Sequence, residues 1–305
     1  MAREHGLMVF VGGLMADTIA AVPKYPAADQ RVLAETVVQS GGGPASTAAV
    51  AAARLGVADV AFVGTVGQDA TGDRLLDELI TEGIDVSGVS RVAESATGAS
   101  VIVVDVAAGS RAICALPGPA AQTNAVALSQ LRSARWVHVD HLGWAVTAQA
   151  LIGLELGMMP RLSVDISYPV LGFTPEGVDL YVPNTEALAA RYPNCGDDVD
   201  AMLDCALAEG ARQVVVTRGS RGSASATTDG HRFTVPAHDA QILSTLGAGD
   251  VFHGALLAAL DRGEDLPAAM RYAGVVAALS CRGLDGRSTI PSHEETLAAL
   301  NAAVA

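Results

Sequence analysis

Lysine is almost missing from this chain of 305 residues, in which Lys24 is the only one. A lysine-based phosphate loop needs its Lys directly after Gly, whereas Lys24 lies between Pro23 and Tyr25. The sequence therefore excludes that loop. Lys24 is also the single candidate for Schiff-base chemistry, and its position does not favour that role.

Cysteine is scarce as well, and the four cysteines are Cys114, Cys195, Cys205 and Cys281. They form no CxxC pair, and Cys195 and Cys205, ten residues apart, have no histidine ligands nearby in the sequence. We therefore expect buried or idle thiols in a reducing cytosol.

Long apolar runs are also absent. No stretch of about eighteen uncharged apolar residues stands out as a membrane span, and the N-terminal MAREHGLMVFVGG has no secretory cleavage pattern. We expect a soluble, cytoplasmic protein.

Basic residues are outnumbered by acidic ones, and the net charge is −14. A surface this acidic disfavours nonspecific binding to nucleic acid and to anionic membranes, so we expect neither as a partner. It does not exclude an anionic substrate, because a local cluster of backbone amides can override the global field. Half of the residues are hydrophobic and 4% are aromatic, which is typical of one large alanine-rich domain with or without a small appendage.

Buried strands alternate with helices along most of the chain. The predicted strands are 7–13, 60–67, 134–143, 161–167, 179–184 and 212–219, and the predicted helices include 45–56, 73–83, 186–191 and 198–209. This alternation predicts an α/β fold with a doubly wound, mostly parallel sheet flanked by helices.

Two regions break the rhythm, because residues 17–40 and 96–116 contain strand-like pieces without partner helices. The second resembles a hairpin with AAGS as its turn. We interpret both as a small separate β-sheet lid, although edge strands of the main sheet are an alternative. The predicted α/β domain then comprises residues 1–16, 41–95 and 117–305.

The stretch STLGAGDVFHGALL (244–257) places glycines at the mouth of an apolar helix, after a strand-like 235–245. Gly247 and Gly249 let backbone amides converge without Cβ obstruction, and amides at a helix N-terminus bind anions. Asp250 would repel a phosphate, so its presence suggests a base that accepts a hydroxyl proton during phosphoryl transfer to an alcohol. A simple helix cap is the alternative.

A second glycine motif, SGGGPASTAAVAAARLG (40–56), begins a helix of small residues. The glycines permit a small ligand to approach the backbone closely, and the helix can pack tightly beneath that ligand. A tight turn into a core helix is the plain alternative.

Together, GGGPASTAAVAAARLG and STLGAGD resemble the two signatures of the ribokinase-like (PfkB) carbohydrate kinase family, in the right order. The segment VGTVGQDATGDRLLDEL (63–79) is similar to a third stretch of that family. The wording of the motifs is nearest to the sulfofructose kinase branch. The likeness extends over essentially the whole chain.

The resemblance implies roles for individual residues. It implies a catalytic base at Asp250 and an anion hole at Gly247, Ala248 and Gly249. It implies sugar contacts at Asp17, Gly42, Gly43 and Ser46. It implies nucleotide contacts at Asn184, Thr217, Gly219 and Gly222. ATP and Mg²⁺ are the implied co-reactants, and the lid often also forms the contact of a homodimer.

Several positions depart from the family pattern. Ser46 stands where many relatives have Asn, and Glu186 follows Asn184 by two residues instead of three, which leaves its metal role open. Ser244 and Leu246 replace the usual Asp and Thr beside a monovalent-cation loop. Activation by a monovalent cation such as potassium is therefore left open.

Other residues are candidates on weaker grounds. Asp140 ends a predicted strand at the expected ligand rim, where it could contact substrate. Asp165 is expected near the nucleotide or as a loop cap, and His253 is expected to pack. A substrate with a phosphate or sulfonate tail needs a cation, for which the lid offers Arg31, Arg111 and Lys24.

The main hypothesis is an ATP-dependent kinase for a small sugar or sugar derivative. A nucleoside kinase is the nearest alternative, but the lid has only Tyr25 for stacking on a base. From another class, VFVGGLMAD suggests a dinucleotide-dependent oxidoreductase or a non-catalytic nucleotide-binding module, although it lacks GxGxxG.

Overall fold

Thirteen strands occur in residues 6–302, the part of the chain that this computed structural model describes. They are β1 (Met8–Gly12), β2 (Met15–Val22), β3 (Thr36–Gly42), β4 (Val60–Gly67), β5 (Ser90–Val92), β6 (Ala99–Asp105), β7 (Ser110–Leu116), β8 (Trp136–Val139), β9 (Arg161–Val164), β10 (Leu180–Tyr181), β11 (Gln213–Thr217), β12 (Ser223–Thr227) and β13 (Arg232–Val235). Nine of these described strands form a main sheet in the order β13-β12-β11-β10-β9-β8-β1-β4-β5.

The α-helices of the same residues are α1 (Pro44–Arg54), α2 (Ala70–Thr81), α3 (Ala125–Ser133), α4 (Trp144–Leu151), α5 (Thr185–Arg191), α6 (Val199–Ala208), α7 (Ala248–Asp261), α8 (Leu266–Ser280) and α9 (His293–Ala302). Capping side chains begin several of them: Asp69 accepts a hydrogen bond from the Gly72 amide at the start of α2, and Asn124 does the same for Ala127 in α3.

The main sheet is parallel from β5 to β11 and antiparallel at β12 and β13. Strand β1 is buried along its whole length because helices cover both faces. Met8 and Phe10 pack into a core with α1, α7 and α8, whereas Val9 and Val11 pack on the opposite face with α3. The predicted doubly wound α/β fold is confirmed.

A second sheet of four strands, in the order β3-β2-β6-β7, is separate from the main sheet. We call it the lid sheet. Strands β6 and β7 form the predicted hairpin across residues 106–109. One face packs through Ile19, Ile102 and Val104 against Leu284 and Leu246 of the main domain. The prediction of a separate sheet is confirmed, and the alternative of extra edge strands is wrong.

The predicted strand at 235–245 is wrong. Strand β13 ends at Val235, and residues 236–247 form a loop before α7. Pro236 and Ser244–Thr245 interrupt the pattern, and the following Gly247 turns the chain with a φ of 73°. Strands β12 and β13 were not among the predicted elements, because SASAT consists of small residues that lack a strong strand signal.

Helices α1 and α7 touch through small residues. A Cβ at Gly254 of α7 would lie 2.2 Å from the carbonyl oxygen of Ala48 and 2.8 Å from Cβ of Ala51 in α1. The helix of small residues predicted at 45–56 therefore packs directly on the helix that carries Asp250.

Two predictions concern the chain ends and partitioning. The predicted main domain includes residues 1–5 and 303–305, which lie outside the described residues. Residues 1–5 also begin the N-terminal stretch in which the sequence shows no secretory cleavage pattern. In the described part, no helix has both the length and the apolar character that a bilayer crossing requires.

Candidate active site

A cavity of about 1510 Å³ lies between the lid sheet and the carboxyl edge of the main sheet. Its walls include twelve of the predicted site residues, which are Asp17, Gly42, Gly43, Asn184, Glu186, Thr217, Gly219, Gly222, Gly247, Ala248, Gly249 and Asp250. The predicted sugar, phosphate and nucleotide residues therefore converge on one site. Its volume is large for a single small molecule.

The turn before α7 forms the cavity floor. Gly247 has a left-handed φ of 73°, and a Cβ there would lie 2.8 Å from Cα of Gly286. A Cβ at Gly249 would meet no atom within 4 Å. The amide of Ala248 donates to the carbonyl of Thr245 at 3.3 Å, and Gly249 borders the open space of the cavity. The start of α7 therefore faces the cavity, which is the position of an anion site at a helix N-terminus.

Asp250 lies in the first turn of α7 and lines this space. Burial raises the pKa of its carboxyl well above the usual range, and the negative charges of Asp165 and Asp140 act in the same direction. The positive charge of Arg287 opposes them. A carboxylate with a raised pKa is a stronger proton acceptor than an ordinary Asp, so the site can take a proton from a bound hydroxyl.

Asp17 of β2 faces the glycine turn that precedes α1. Its Oδ2 lies 1.9 Å from where a Cβ of Gly42 would stand, so only glycine permits this approach. Burial raises the pKa of Asp17 to about 6, while a hydrogen bond from Ser100 and the charge of Arg287 lower it. Two carboxyl groups with raised pKa values therefore line one cavity.

Ser46 does not line the cavity. Its side chain is fully buried, and its hydroxyl donates to the carbonyl of Gly42 at 2.7 Å. Arg287 donates to the same hydroxyl from Nη2, also at 2.7 Å. Gly42 and Gly43 line the cavity, whereas Ser46 is turned away from it.

Asp140 does not line the cavity either, although it was a candidate for substrate contact. Its buried carboxylate accepts hydrogen bonds from four backbone amides, those of Gly13, Ala45, Leu142 and Gly143, at 2.8 to 3.1 Å. These amides belong to the end of β1 and to the starts of α1 and α4. Asp140 thus fixes three loops at the edge of the site.

The predicted nucleotide residues lie on the other side of the cavity. Asn184 caps α5 by accepting from the Ala187 amide at 2.7 Å. Gly222 has a φ of 79°, and a Cβ there would lie 2.0 Å from the carbonyl oxygen of Val235. Glu186 is exposed. In residues 6–302, no cluster of three or more His, Cys, Asp or Glu side chains is arranged to hold a metal ion.

Of the lid cations, only Arg111 reaches the cavity within the described residues. It projects from β7 and donates from Nη1 to Oγ1 of Thr245 at 2.9 Å. Arg31 and Lys24 lie in the exposed connection between β2 and β3, away from the cavity wall. Arg31 is therefore not among the residues that the structure brings to the site.

Some cavity residues were missed or undervalued. Asp165 follows β9 and lines the cavity, and its Oδ2 lies 3.4 Å from Nε2 of His253. Its position at the end of a predicted strand was the sequence signal that pointed to this edge of the sheet. The rings of His141 and Tyr168 lie 4.9 Å apart on the cavity wall. Arg287 had no sequence signal, because a loop arginine between Gly286 and Ser288 is typical of a solvated surface.

The chain matches known proteins over nearly its whole length. The model of the pfkB family of carbohydrate kinases matches residues 6–293. The ribokinase of Haemophilus influenzae is 26% identical over 304 residues, which cover 95% of this chain and 97% of that one. The ketohexokinase of Mus musculus is 27% identical over 310 residues, which cover 93% and 99% of the two chains.

Among solved structures, the ribokinase of Arabidopsis thaliana in complex with ribose and ATP has a TM-score of 0.83. It is 22% identical and covers 97% of this chain and 99% of its own. At this identity the likeness is evidence for the fold alone.

Proposed function

This chain belongs to the pfkB family of carbohydrate kinases, and we propose that it transfers a phosphoryl group from ATP to a hydroxyl of a small sugar or sugar derivative. The observation that carries the proposal is that Asp250, the glycines at the start of α7 and the closely packed pair Asp17 and Gly42 all line one cavity. The dinucleotide-dependent oxidoreductase and the non-catalytic module are not retained, because the family is one of kinases.

In the proposed reaction, the carboxylate of Asp250 accepts the proton of the acceptor hydroxyl as that oxygen bonds to the phosphorus. The backbone amides of residues 247–249 donate to the oxygens of the migrating phosphoryl group. Phosphoryl transfer depends mainly on positioning and on charge stabilisation. The raised pKa of Asp250 suits a group that must take up a proton.

The sugar is proposed to bind at Asp17, Gly42 and Gly43, with its reacting hydroxyl towards Asp250. Arg111 is the lid cation at the same cavity, and it is proposed to contact phosphate oxygens or an anionic tail of the sugar. The sulfofructose kinase branch stays a prediction from the motif wording.

ATP is proposed as the donor because a neighbour of the same fold was solved with ribose and ATP and because the cavity has room for two ligands. Its phosphates are proposed to lie along Thr217, Gly219 and Gly222, with Asn184 nearby. Mg²⁺ usually binds to phosphate oxygens with one or two carboxylates. Glu186 fits that pattern as a cavity-lining carboxylate, and the ion would neutralise phosphate charge.

A nucleoside is the second candidate acceptor. The paired rings of His141 and Tyr168 on the cavity wall offer a stacking surface that the lid itself lacks. Sugars carry no aromatic group that needs such a surface, so the pair is the specific observation that favours a nucleoside.

A homodimer through the lid sheet is also proposed. Successive residues of a strand point to opposite faces of the sheet. Ile19, Val38 and Ile102 point to the main domain, so their neighbours along each strand point outward. On that outer face Val37, Val101 and Leu116 are 57%, 56% and 57% exposed. An apolar face of this kind on a sheet is typical of a contact with another protein, and a second copy of this chain would pair the two faces.

The proposed function is tested by measuring ADP release with hexoses, pentoses, sugar phosphates, sulfonated sugars and nucleosides. We expect turnover with one chemical class of acceptor and no turnover without acceptor. Binding of NADH without binding of an ATP analogue, and no ADP release with any acceptor, would overturn the proposal.

A further inference from the structure

Arg287 lies in the loop between α8 and α9, directly beneath the glycine turn of the cavity, and is only 7% exposed. Its Nη2 donates to Oγ of Ser46 at 2.7 Å and to the carbonyl of Gly42 at 3.3 Å. Its Nε donates to Oγ1 of Thr47 at 3.2 Å. The guanidinium therefore ties the turn before α1 to the C-terminal part of the chain.

The turn is shaped to admit this guanidinium. A Cβ at Gly41 would lie 2.3 Å from Nη1 of Arg287 and 2.7 Å from Oε2 of Glu78. The three side-chain hydrogen bonds of Arg287 all go to neutral oxygens. A buried charge whose hydrogen-bond partners are neutral is costly unless other charges compensate it.

The compensating charges are carboxylates around the cavity. Burial lowers the pKa of Arg287 to about 10, while Glu78, Asp17 and Asp250 raise it. The same guanidinium lowers the pKa values of Asp17 and Asp250 against the effect of burial. The other charged groups that face this set are Glu82, Asp285, Asp165, Asp140 and Arg54.

We propose that Arg287 is a positioning residue that holds the Gly42–Ser46 turn and supplies the buried positive charge that keeps Asp17 and Asp250 as carboxylates. The inference rests on the proposed function for its catalytic meaning. Asp250 must be ionised to accept a proton, and Asp17 must be ionised to accept from sugar hydroxyls. Arg287 therefore sets the pH range in which the site works, without touching the substrate.

The first test needs no substrate and measures the melting temperature of Arg287→Met and wild type between pH 5.5 and 8. Without the cation, the folded-state pKa values of Asp17 and Asp250 rise further above their unfolded values. A raised carboxyl pKa destabilises the fold as pH rises through it. The stability deficit of Arg287→Met is therefore expected to grow from about pH 6, near the pKa of Asp17, towards pH 8.

Arg191→Met is the matched control. Arg191 pairs with Glu209 outside the cavity. Burial raises the pKa of Glu209, but its hydrogen bonds with Arg191 and Tyr192 outweigh burial and lower that pKa below its usual value. The ion pair contributes its full stability above the usual pKa range of Glu. The loss of stability in Arg191→Met is therefore expected to be constant over the same pH window. A flat deficit for Arg287→Met as well would overturn the proposal, since a turn held only by hydrogen bonds has no such pH dependence.

Two further variants keep the test decisive if Arg287→Met folds poorly. Arg287→Lys retains a cation and is expected to move the pH dependence back towards wild type. The double variant Asp17→Asn/Arg287→Met removes both charges and is expected to melt higher at pH 8 than Arg287→Met alone. A double variant that melts no higher would contradict the charge role.

The second test measures kcat/KM against pH with the acceptor found in the panel. Arg287→Met is expected to shift the acid limb upward by about 1 pH unit or more, as loss of a nearby opposite charge does. If the limb moves from about pH 6 to about pH 7, kcat/KM at pH 7 is expected to fall about twofold, because half of the carboxyl groups are then protonated. An unshifted limb overturns the role of Arg287. An inactive wild type contradicts the kinase function instead, and the melting test still decides on the charge.

Discussion

Nη1 of Arg111 on the lid sheet lies 2.9 Å from Oγ1 of Thr245, two residues before Gly247 at the start of α7. The lid sheet and the loop before α7 are therefore linked by the guanidinium of Arg111. Because this guanidinium faces the cavity, it can exchange its neutral hydroxyl partner for a phosphate oxygen, which is a stronger acceptor.

Replacing Arg111 with Ala is expected to lower kcat/KM about tenfold or more, because the charge-assisted hydrogen bond that we propose between its guanidinium and an anionic group of a ligand is lost. Steady-state kinetics at fixed ATP and at fixed acceptor identify the ligand that Arg111 contacts. Arg31→Ala is the control, because Arg31 lies in the exposed connection between β2 and β3 away from the cavity wall, and it is expected to behave as wild type. Equal effects of the two substitutions would contradict a specific role for Arg111.

Asp250→Asn tests the proposed base. The amide cannot accept the hydroxyl proton, so turnover is expected to fall by about 10²- to 10⁴-fold, while binding of an ATP analogue by calorimetry changes little. The exposed Asp239, at the mouth of the same cavity, offers a control in Asp239→Asn. Turnover close to wild type in Asp250→Asn would refute the assignment.

The pH dependence of activity follows from two raised carboxyl pKa values. Burial raises the pKa of Asp17 to about 6 and that of Asp250 well above its usual range. Both groups act as carboxylates, so kcat/KM is expected to fall as pH drops through about 6 or higher, well above the range of an ordinary Asp. An acid limb near pH 4 would show that neither group controls the reaction.

Substitutions at Gly247 and Gly249, the two glycines at the start of α7, are expected to affect stability and activity differently. Gly249 has a helical position with open space at its Cβ site, so Gly249→Ala is expected to keep or slightly raise the melting temperature while the new methyl group obstructs the phosphate and lowers kcat. Gly247→Ala forces a side chain into a left-handed φ and against Gly286. It is expected to lower stability by about 1–2 kcal/mol in denaturant unfolding. Full activity of Gly249→Ala would place the phosphate elsewhere.

The outer face of the lid sheet is tested by Val101→Glu. A carboxylate on an apolar dimer contact is costly to bury, so sedimentation is expected to show monomers where wild type shows dimers. Ile152→Glu, at another exposed apolar residue in the main domain, serves as the control and is expected to stay dimeric. A monomeric wild type would remove the proposed contact.

Regular patterns made the main sheet predictable. Strand β1 and helix α1 lie within one or two residues of their expected bounds, because an apolar run bounded by glycines and an alanine-rich helix after Pro44 are strong local signals. Two-residue β10 and the loop at 236–247 show the limit, since pairing with neighbouring strands and not local composition decides where a strand ends.

The site was predictable where a residue type has a local reason to be present. Gly42, Gly247 and Asp250 belong to motifs, and their backbone geometry agrees with the reasons for placing them at the cavity. The sequence shows that Asp140 is a charged residue at the end of a strand, but it does not show the partners of its carboxylate. The four backbone amides that donate to Asp140 come from three separate loops. Arg287 depends on contacts more than 200 residues away in sequence, which no local pattern reveals.

The contact of Gly254 with Ala48 and Ala51 restricts how this enzyme can move. Helices that approach this closely have few side-chain atoms between them that could rearrange, so the glycine turn before α1 and the turn before α7 are expected to move together. Any opening of the cavity is therefore expected to involve the separate lid sheet and not a shift between α1 and α7.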